Sequence, residues 1–309
     1  MKKAINHTRQ TARGVAAGGK QRSLTYLLTA LLIYLCSLLP FTVLYAVAGL
    51  IYFLFFRLLK YRYAVVFQNL SRSFPQMSYR EIDAVASRFY RHFSKLLVEV
   101  VKLMSISESE LKTRLHLRNP ELIEYYHRQN RPVIAMMGHC GNWECLSILP
   151  RYFTSQVYAV YRPLSNKGMN RLLLYIRSRF GMKLLPMLQA PRYMLQHKQD
   201  PALYLFIADQ SPDPDARCRV EFMHQSTLMF NGAEKLARAT GAAVVYLELN
   251  RTSEKHWEVS FSLVAENPSA MPVHEITRVY AHKLQQTICK TPDQWLWTHK
   301  RWKHKAHTV

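Results

Sequence analysis

The sequence predicts an α/β protein built on a mostly parallel sheet, with a hydrophobic anchor ahead of it. Three observations carry this. Apolar runs of strand length recur at 132–138, 156–161, 202–209, 243–249 and 256–264. Helical patterns separate them at 143–153, 168–180, 190–197 and 230–240, and strands that alternate with helices fold as a layer of mostly parallel strands. Upstream, no charged residue occurs from Leu24 to Phe56, a run of 33 residues, where a membrane-spanning helix needs about 20.

The elements follow in chain order. Residues 1–23 form a basic segment, 24–56 the membrane anchor and 57–309 the remaining domain. The apolar run is too long for a signal peptide, and no small-residue cleavage site follows it. Lys2, Lys3, Arg9, Arg13, Lys20 and Arg22 precede it, and Arg57, Lys60 and Arg62 follow. Positive flanks prefer the cytoplasm, and here both flanks are positive. Pro40 divides the run into two arms of 16 residues, each about 24 Å long as helix. Two arrangements stay open: a hairpin dipping into the membrane from the cytoplasmic side, and a single tilted span with an exported N-terminus. Beyond the anchor, Ser78 and Glu81 form a capping-box signal. It opens a helix to about 104 that carries Ile82, Val85, Phe89, Phe93, Leu96, Leu97 and Val100 on one stripe. Short helices are expected at 107–115 and 120–129, a last long helix at 273–290 and a turn near 292–298.

Composition bounds the partners. With 42 Lys and Arg against 20 Asp and Glu, the chain carries a formal +22. Nucleic acid, an anionic lipid surface, an acidic carrier protein or an acidic substrate would each suit that surplus. Five cysteines without a CxxC pair suggest neither a disulfide framework nor a zinc site, and fit a reducing compartment. The carboxylates Asp209, Asp213 and Asp215 match no usual metal loop, and Pro212 and Pro214 among them read as a turn. No metal and no cofactor is expected.

The stretch 136-MMGHCGNWE-144 carries the chemistry. His139 follows a strand, where ligand and catalytic groups collect in α/β sheets. Gly138 and Gly141 allow a tight turn, and Asn142 is a good helix cap. On one continuous helix, side chains five apart diverge by about 140°. His139 and Glu144 therefore meet only if the chain turns between them. Glu144 is then expected to bond one imidazole nitrogen, leaving the other as a base toward a hydroxyl. Arg162 follows a second strand and suits phosphate binding or oxyanion stabilisation. Asp209 and Gln210 end the strand 202–208 and should line the same cleft.

At this point the blocks become recognisable. HCGNWE resembles the His-x4-Glu block of the late acyltransferases of lipid A biosynthesis, the lauroyl and myristoyl transferase family, within the wider His-x4-Asp/Glu glycerolipid acyltransferases. VVFQNLSRSFP is similar to that family's Asn-Leu…Phe-Pro stretch, and 161-YRPLSNKGMNRLLLYIRSRFG-181 to its Tyr-Arg-Pro…Asn block. The stretch 207-IADQSP-212 resembles its Asp-Gln-x-Pro block, and 292-PDQWLWTHKRWK-303 its C-terminal signature. The sequence departs from the pattern at His224, where a glycine is usual, and at Cys140, where an aromatic is common.

The resemblance implies a layered glycerolipid-acyltransferase-like fold with a mostly parallel mixed sheet. It implies an enzyme of the bacterial inner membrane with its catalytic domain facing the cytoplasm. The donor would be an acyl carrier protein thioester, and the acceptor the free 3-hydroxyl of an acyl chain on a glucosamine disaccharide lipid. His139, Glu144 and Arg162 are the catalytic candidates; Asn142, Asn166, Arg177, Asp209 and Gln210 are the substrate-binding ones. A relative acting on a lysophospholipid, an amino-acid lipid or a glycosylated lipid is the alternative. Nucleic acid is not expected as a partner: it would explain the charge but not the histidine block, and no nucleic-acid-binding motif occurs. Cys140 as an acyl-carrying nucleophile is a minor reading. The tail 295-WLWTHKRWKHKAH-307 mixes tryptophan with basic residues and suits an anionic membrane surface.

Overall fold

A computed structural model of the chain describes residues 24–212, 218–253 and 255–303. The basic segment 1–23, Asp213, Asp215 and residues 304–309 lie outside the described residues. Nine strands are described: β1 (Leu115–Leu117), β2 (Val133–Met137), β3 (Gln156–Tyr161), β4 (Lys183–Pro186), β5 (Ala202–Ile207), β6 (Arg219–Phe222), β7 (Gln225–Leu228), β8 (Ala243–Ser253) and β9 (His256–Ala265). Seven form one mixed sheet in the order β1-β9-β8-β2-β5-β3-β4, parallel throughout except for the β8–β9 pair. The expected mostly parallel sheet is therefore present, with all five expected strands in it.

The central strand shows why so apolar a run becomes a strand. Every residue of β2 is buried, and the alternation of a strand divides them between two cores. Ile134 and Met136 join one apolar cluster, and Val133, Ala135 and Met137 join the other. Continuous hydrophobicity, rather than alternation with polar residues, is what a strand covered on both faces requires.

The helices are α1 (Leu24–Leu38), α2 (Phe41–Tyr52, continued by a π-helical turn, Phe53–Leu58), α3 (Tyr63–Ser73), α4 (Tyr79–Lys102), α5 (Glu108–Arg114), α6 (Glu121–Arg128), α7 (Lys167–Ser178), α8 (Ala190–Gln196), α9 (Gly232–Thr240) and α10 (Glu275–Lys290). Pro40 sits between α1 and α2 with extended backbone, so the apolar run breaks where proline removes a donor. The capping box at α4 is formed: Ser78 N–H donates to Glu81 at 2.7 Å, and the Ser78 hydroxyl accepts from Glu81 N–H.

Two local expectations are corrected. The segment after the histidine is a 3-10 helix, Trp143–Arg151, with Pro150 inside it, rather than an α-helix to 153. Proline there cannot donate the bond an α-helix needs. Asn142 does not cap it; its side-chain amide donates instead to Glu99 at 2.9 Å. Strands β1, β4, β6 and β7 were not expected. Each is three or four residues long, too short to show a period.

Candidate active site

The site forms at the carboxyl ends of β2, β5 and β3, three adjacent parallel strands. Met137 of β2 pairs with Ile207 of β5. Two residues further along each chain stand His139 and Asp209, and the register brings them together. The Asp209 carboxylate bonds His139 Nδ1 at 2.6 Å through Oδ1. Its Oδ2 accepts from His139 backbone N–H at 2.9 Å and from the Trp295 indole at 2.7 Å. Asp209 is 2 % exposed. Burial by itself would raise its pKa, but the histidine charge and these hydrogen bonds outweigh burial and hold the carboxyl at about 2. A carboxylate fixed by three donors leaves Nε2 as the ring nitrogen available to a ligand, and the Gln210 amide nitrogen stands 3.4 Å from it.

The carboxylate on His139 is therefore Asp209, and the expected His139–Glu144 bond is replaced. Glu144, 6 % exposed, is engaged elsewhere. Arg177 on α7 grips it through two nitrogens, Nε to Oε2 at 2.7 Å and an Nη to Oε1 at 2.5 Å. Burial disfavours the Arg177 cation, but the Glu144 carboxylate more than offsets this and raises its pKa. Glu144 also accepts from the Trp143 indole at 3.1 Å, and the Trp143 ring meets the His139 ring edge-on, centroids 4.9 Å apart. Glu144 thus acts on the histidine through Trp143.

Both glycines of the turn have physical causes. A Cβ on Gly138 would lie 2.4 Å from a Leu284 methyl, so α10 can approach β2 only over a bare backbone. Gly141 has φ +63°, and a Cβ there would meet the Trp257 ring at 2.4 Å.

A cavity of about 520 Å³ opens beside the histidine. His139, Glu144, Arg162, Arg177 and Gln210 edge it, and its walls include Leu146, Leu173, Leu174, Met182, Met187 and Leu205. Charged and polar groups thus share the lining with aliphatic and aromatic side chains, among them Trp143, Tyr161, Phe206 and Phe230, the usual arrangement of a lipid or cofactor pocket. Arg162 stands exposed at the rim, with no partner among the described residues. Asn142 and Asn166 are outside the cavity: Asn142 faces Glu99, and Asn166 caps α7 by accepting from Met169 N–H at 2.9 Å. Asn170 lines it instead and accepts from Leu164 N–H at 2.9 Å. Cys140 is buried, and burial pushes its thiol far up.

Four of the five sequence blocks touch one another here, and the fifth ties them down. Trp295 forms a β-bridge to Cys140. Gly141 N–H donates to Gln294 O and Leu296 N–H to His139 O, at 3.0 and 3.1 Å. The upstream Asn69 donates to the carbonyls of Trp297 and His299, both at 2.9 Å. Arg301, 2 % exposed, donates to Leu228 O at 2.6 Å, and burial lowers its pKa to about 10. Trp295 is the site residue that the pattern of catalytic residue types missed. Its only signal was membership of the C-terminal block.

The sequence model of the bacterial lipid A biosynthesis acyltransferases matches residues 19–304. The chain belongs to this family. It is an acyltransferase of lipid A biosynthesis. Two relatives share 23% identity over 248 residues, which is 79% of this chain and 80% of theirs: a lipid A biosynthesis palmitoleoyltransferase of Escherichia coli (strain K12) and a lipid A biosynthesis acyltransferase of Shigella flexneri. Within this lipid A acyltransferase the unusual His224 lies in the two-residue turn joining β6 and β7. Met223 and His224 there have φ of 54° and 59°. A hairpin turn with both central residues left-handed favours glycine or asparagine, which accounts for glycine being usual at this position.

Proposed function

We propose that this enzyme transfers a fatty acyl chain from an acyl carrier protein thioester to the free 3-hydroxyl of an acyl chain on a lipid A precursor. The observation that carries the reading is the Asp209-bound His139 on the wall of a largely apolar cavity. With Nδ1 protonated toward Asp209, His139 Nε2 holds the lone pair. It takes the proton of the acceptor hydroxyl as the oxygen attacks the thioester carbonyl. Asp209 fixes the ring and stabilises the imidazolium that forms. Arg162, at the rim, meets the oxyanion or a substrate phosphate. The imidazolium then returns the proton to the departing thiolate, giving ester and free carrier thiol. Glu144 and Arg177 fix the wall against which the substrate lies, and Gln210 hydrogen-bonds at the reacting oxygen.

The +22 charge suits an acidic carrier protein and anionic lipid headgroups. The apolar segment 24–56 seats the enzyme on the bacterial inner membrane, the domain from 57 onward lying on the cytoplasmic side. A related acceptor, such as a lysophospholipid, an amino-acid lipid or a glycosylated lipid, would use the same groups. Mass spectrometry of lipids from cells lacking the gene, complemented with wild type or His139→Ala, tests the reading. Expected is a lipid A species lighter by one non-hydroxylated chain and restored by wild type alone. Unchanged lipid A, with another lipid short of a chain, would refute the acceptor and keep the chemistry. Restoration by His139→Ala would refute the base.

A further inference from the structure

We infer that the apolar helices α1 and α2 lie along one leaflet of the bilayer rather than crossing it, and that the cavity mouth opens into that same leaflet. Membrane binding is taken from the proposed function; its geometry is what the contacts add.

Helix α2 with its π-helical turn, Phe41–Leu58, is apolar and long enough to cross a membrane. It is not free to do so. It runs antiparallel along α4, and beside the apolar contact of Leu44 and Ala48 with Val98 it meets a polar stripe of α4. Tyr52 hydroxyl bonds Ser87 at 2.9 Å. Arg91 lies over the Tyr52 ring, Lys95 over Tyr45 and Lys102 over Phe41, at 5.3, 5.6 and 5.6 Å. Tyr45 donates to Glu99. The partners on α4 are spaced by four, four, four and three residues from Ser87 to Lys102, one continuous helical stripe. Were α2 to span, this row of cations would run through the hydrocarbon beside it, where charged side chains are strongly disfavoured.

Helix α1 is held at both ends by the same domain. Near its start, Arg171 of α7 lies over the Tyr26 ring at 5.0 Å, and Gly168 sits against that ring. At its other end, Ser105 hydroxyl donates to Ser37 O at 2.6 Å, and Lys102 donates to Leu39 O at 3.0 Å. A helix pinned at both ends to one face of a domain does not project away from it.

The outward faces are what a leaflet would cover. Leu28, Leu32 and Leu35 on α1 are 57, 63 and 52 % exposed, and Leu50 and Phe53 on the second helix 59 and 55 %. This apolar surface has no acidic residue from 24 to 58; the cations Arg57, Lys60 and Arg62 follow it in the chain, and Arg171 lies over Tyr26 at its start. An apolar face rimmed by cations fits the interface of an anionic bilayer. Helix α1 meets α7 at Gly168 and Arg171, and α7 lines the cavity with Asn170, Leu173, Leu174 and Arg177, so one helix links the apolar face to the cavity wall. Leu164 on the cavity lining is 44 % exposed, and Met169 on α7 is 47 % exposed. Leu188 is 90 % exposed and follows Met187, whose N–H bonds Tyr161 O at the mouth. An acceptor lipid could then reach His139 sideways, its chains never leaving apolar surroundings.

The test uses the full chain with Cys36 and Cys289 replaced by serine, reconstituted in phosphatidylethanolamine–phosphatidylglycerol vesicles. Nitroxide labels go singly on cysteines at Leu35, Val43, Leu50, Leu58 and Leu188, and their depth is read by relaxation with oxygen and a nickel chelate. A span would carry Val43 and Leu58 about 22 Å apart along the bilayer normal, at 1.5 Å per residue. The inference expects every label within about 10 Å of the headgroup boundary, Leu188 included, and no depth trend along α2. A monotonic trend through the midplane overturns it. So does dipolar broadening between copies without lipid contact, which would make the face a dimer interface. Acyl transfer is not read, so a wrong acceptor and a wrong membrane geometry fail separately.

Discussion

Replacing Asp209 by asparagine discriminates most sharply between the carboxylate on the histidine and the one four residues after Cys140. Oδ2 of Asp209 accepts two N–H groups, from His139 and Trp295. An amide must therefore place its oxygen there, because an NH2 group would face two donors. Its nitrogen is then left 2.6 Å from His139 Nδ1, where it donates. The imidazole answers by moving its proton to Nε2, and the lone pair that takes the acceptor proton is gone. A base of this kind contributes about 10²–10⁴-fold, and the corresponding change in a Ser-His-Asp triad costs about 10⁴. The expectation is a fall in kcat of about 10³–10⁴, or about 4–5.5 kcal/mol of barrier, with little change in KM. Single-turnover transfer from acyl carrier protein to the lipid acceptor reads it, and ¹⁵N chemical shifts of His139 read the tautomer. The paired variant is Glu144→Gln. Its oxygen keeps one bond to Arg177, so it should lose about 10–150-fold, mostly in KM, since a bond to a charged group is worth about 1.5–3 kcal/mol. Asp209→Asn active within tenfold of wild type, beside Glu144→Gln down by about 10³, would refute the assignment.

Four other outcomes follow from the same geometry. Asp209 is held at about 2 against an ordinary 3.8. Its depressed pKa adds stability above about pH 3.8, on the order of 2 kcal/mol, which is lost as pH falls through about 2; acid unfolding monitored by tryptophan fluorescence should show a shallower pH dependence in Asp209→Asn. His224→Gly relieves a left-handed side-chain residue and should gain about 1 kcal/mol, raising Tm by about 2 °C in calorimetry. Cys140→Ala should keep activity within about threefold, because its thiol is buried away from the cavity and bonding there is through the backbone; a folded Cys140→Ala without activity would restore the nucleophile reading. Arg177→Lys cannot reproduce the two-nitrogen grip on Glu144 and should raise KM about tenfold in the same transfer assay, with kcat nearly unchanged.

The fold was legible because its strands are long, buried and separated by helical patterns; Val133–Met137 and Ala202–Ile207 announce themselves by composition. Strand order was not. Nothing local says that β5 lies between β2 and β3, yet that order is what carries Asp209 to His139 across 70 residues of chain. The His139–Glu144 spacing drew attention to the nearer carboxylate, which the half-buried Arg177 on a separate helix engages instead. Trp295 lay further still, 86 residues from Asp209, in a stretch whose tryptophans also read as an interfacial tail. Short strands such as β4, and the 3-10 geometry forced around Pro150, had too few residues to show a period.

The distant blocks form one mechanical object. His139 sits 2.6 Å from Asp209 on the five-residue turn 138–142 between β2 and the 3-10 helix, and so short a turn does not hold that position by itself. The backbone of residues 294–296 pairs with 139–141 and supplies the missing rigidity. That strip would fray as a chain end does, but Asn69 bonds two of its carbonyls, and Arg301 buries a cation to bond Leu228 on the far side. An arginine so placed gives up solvation for bonds to Leu228 O and Met229 Sδ, which ties the C-terminal strip to the β7 end. The bonds from Asn69, from Arg301 and from the 294–296 backbone therefore bear on the position of the His139 turn. Loosening any one of them should widen the distribution of the His139–Asp209 distance before it alters the identity of any group in the site.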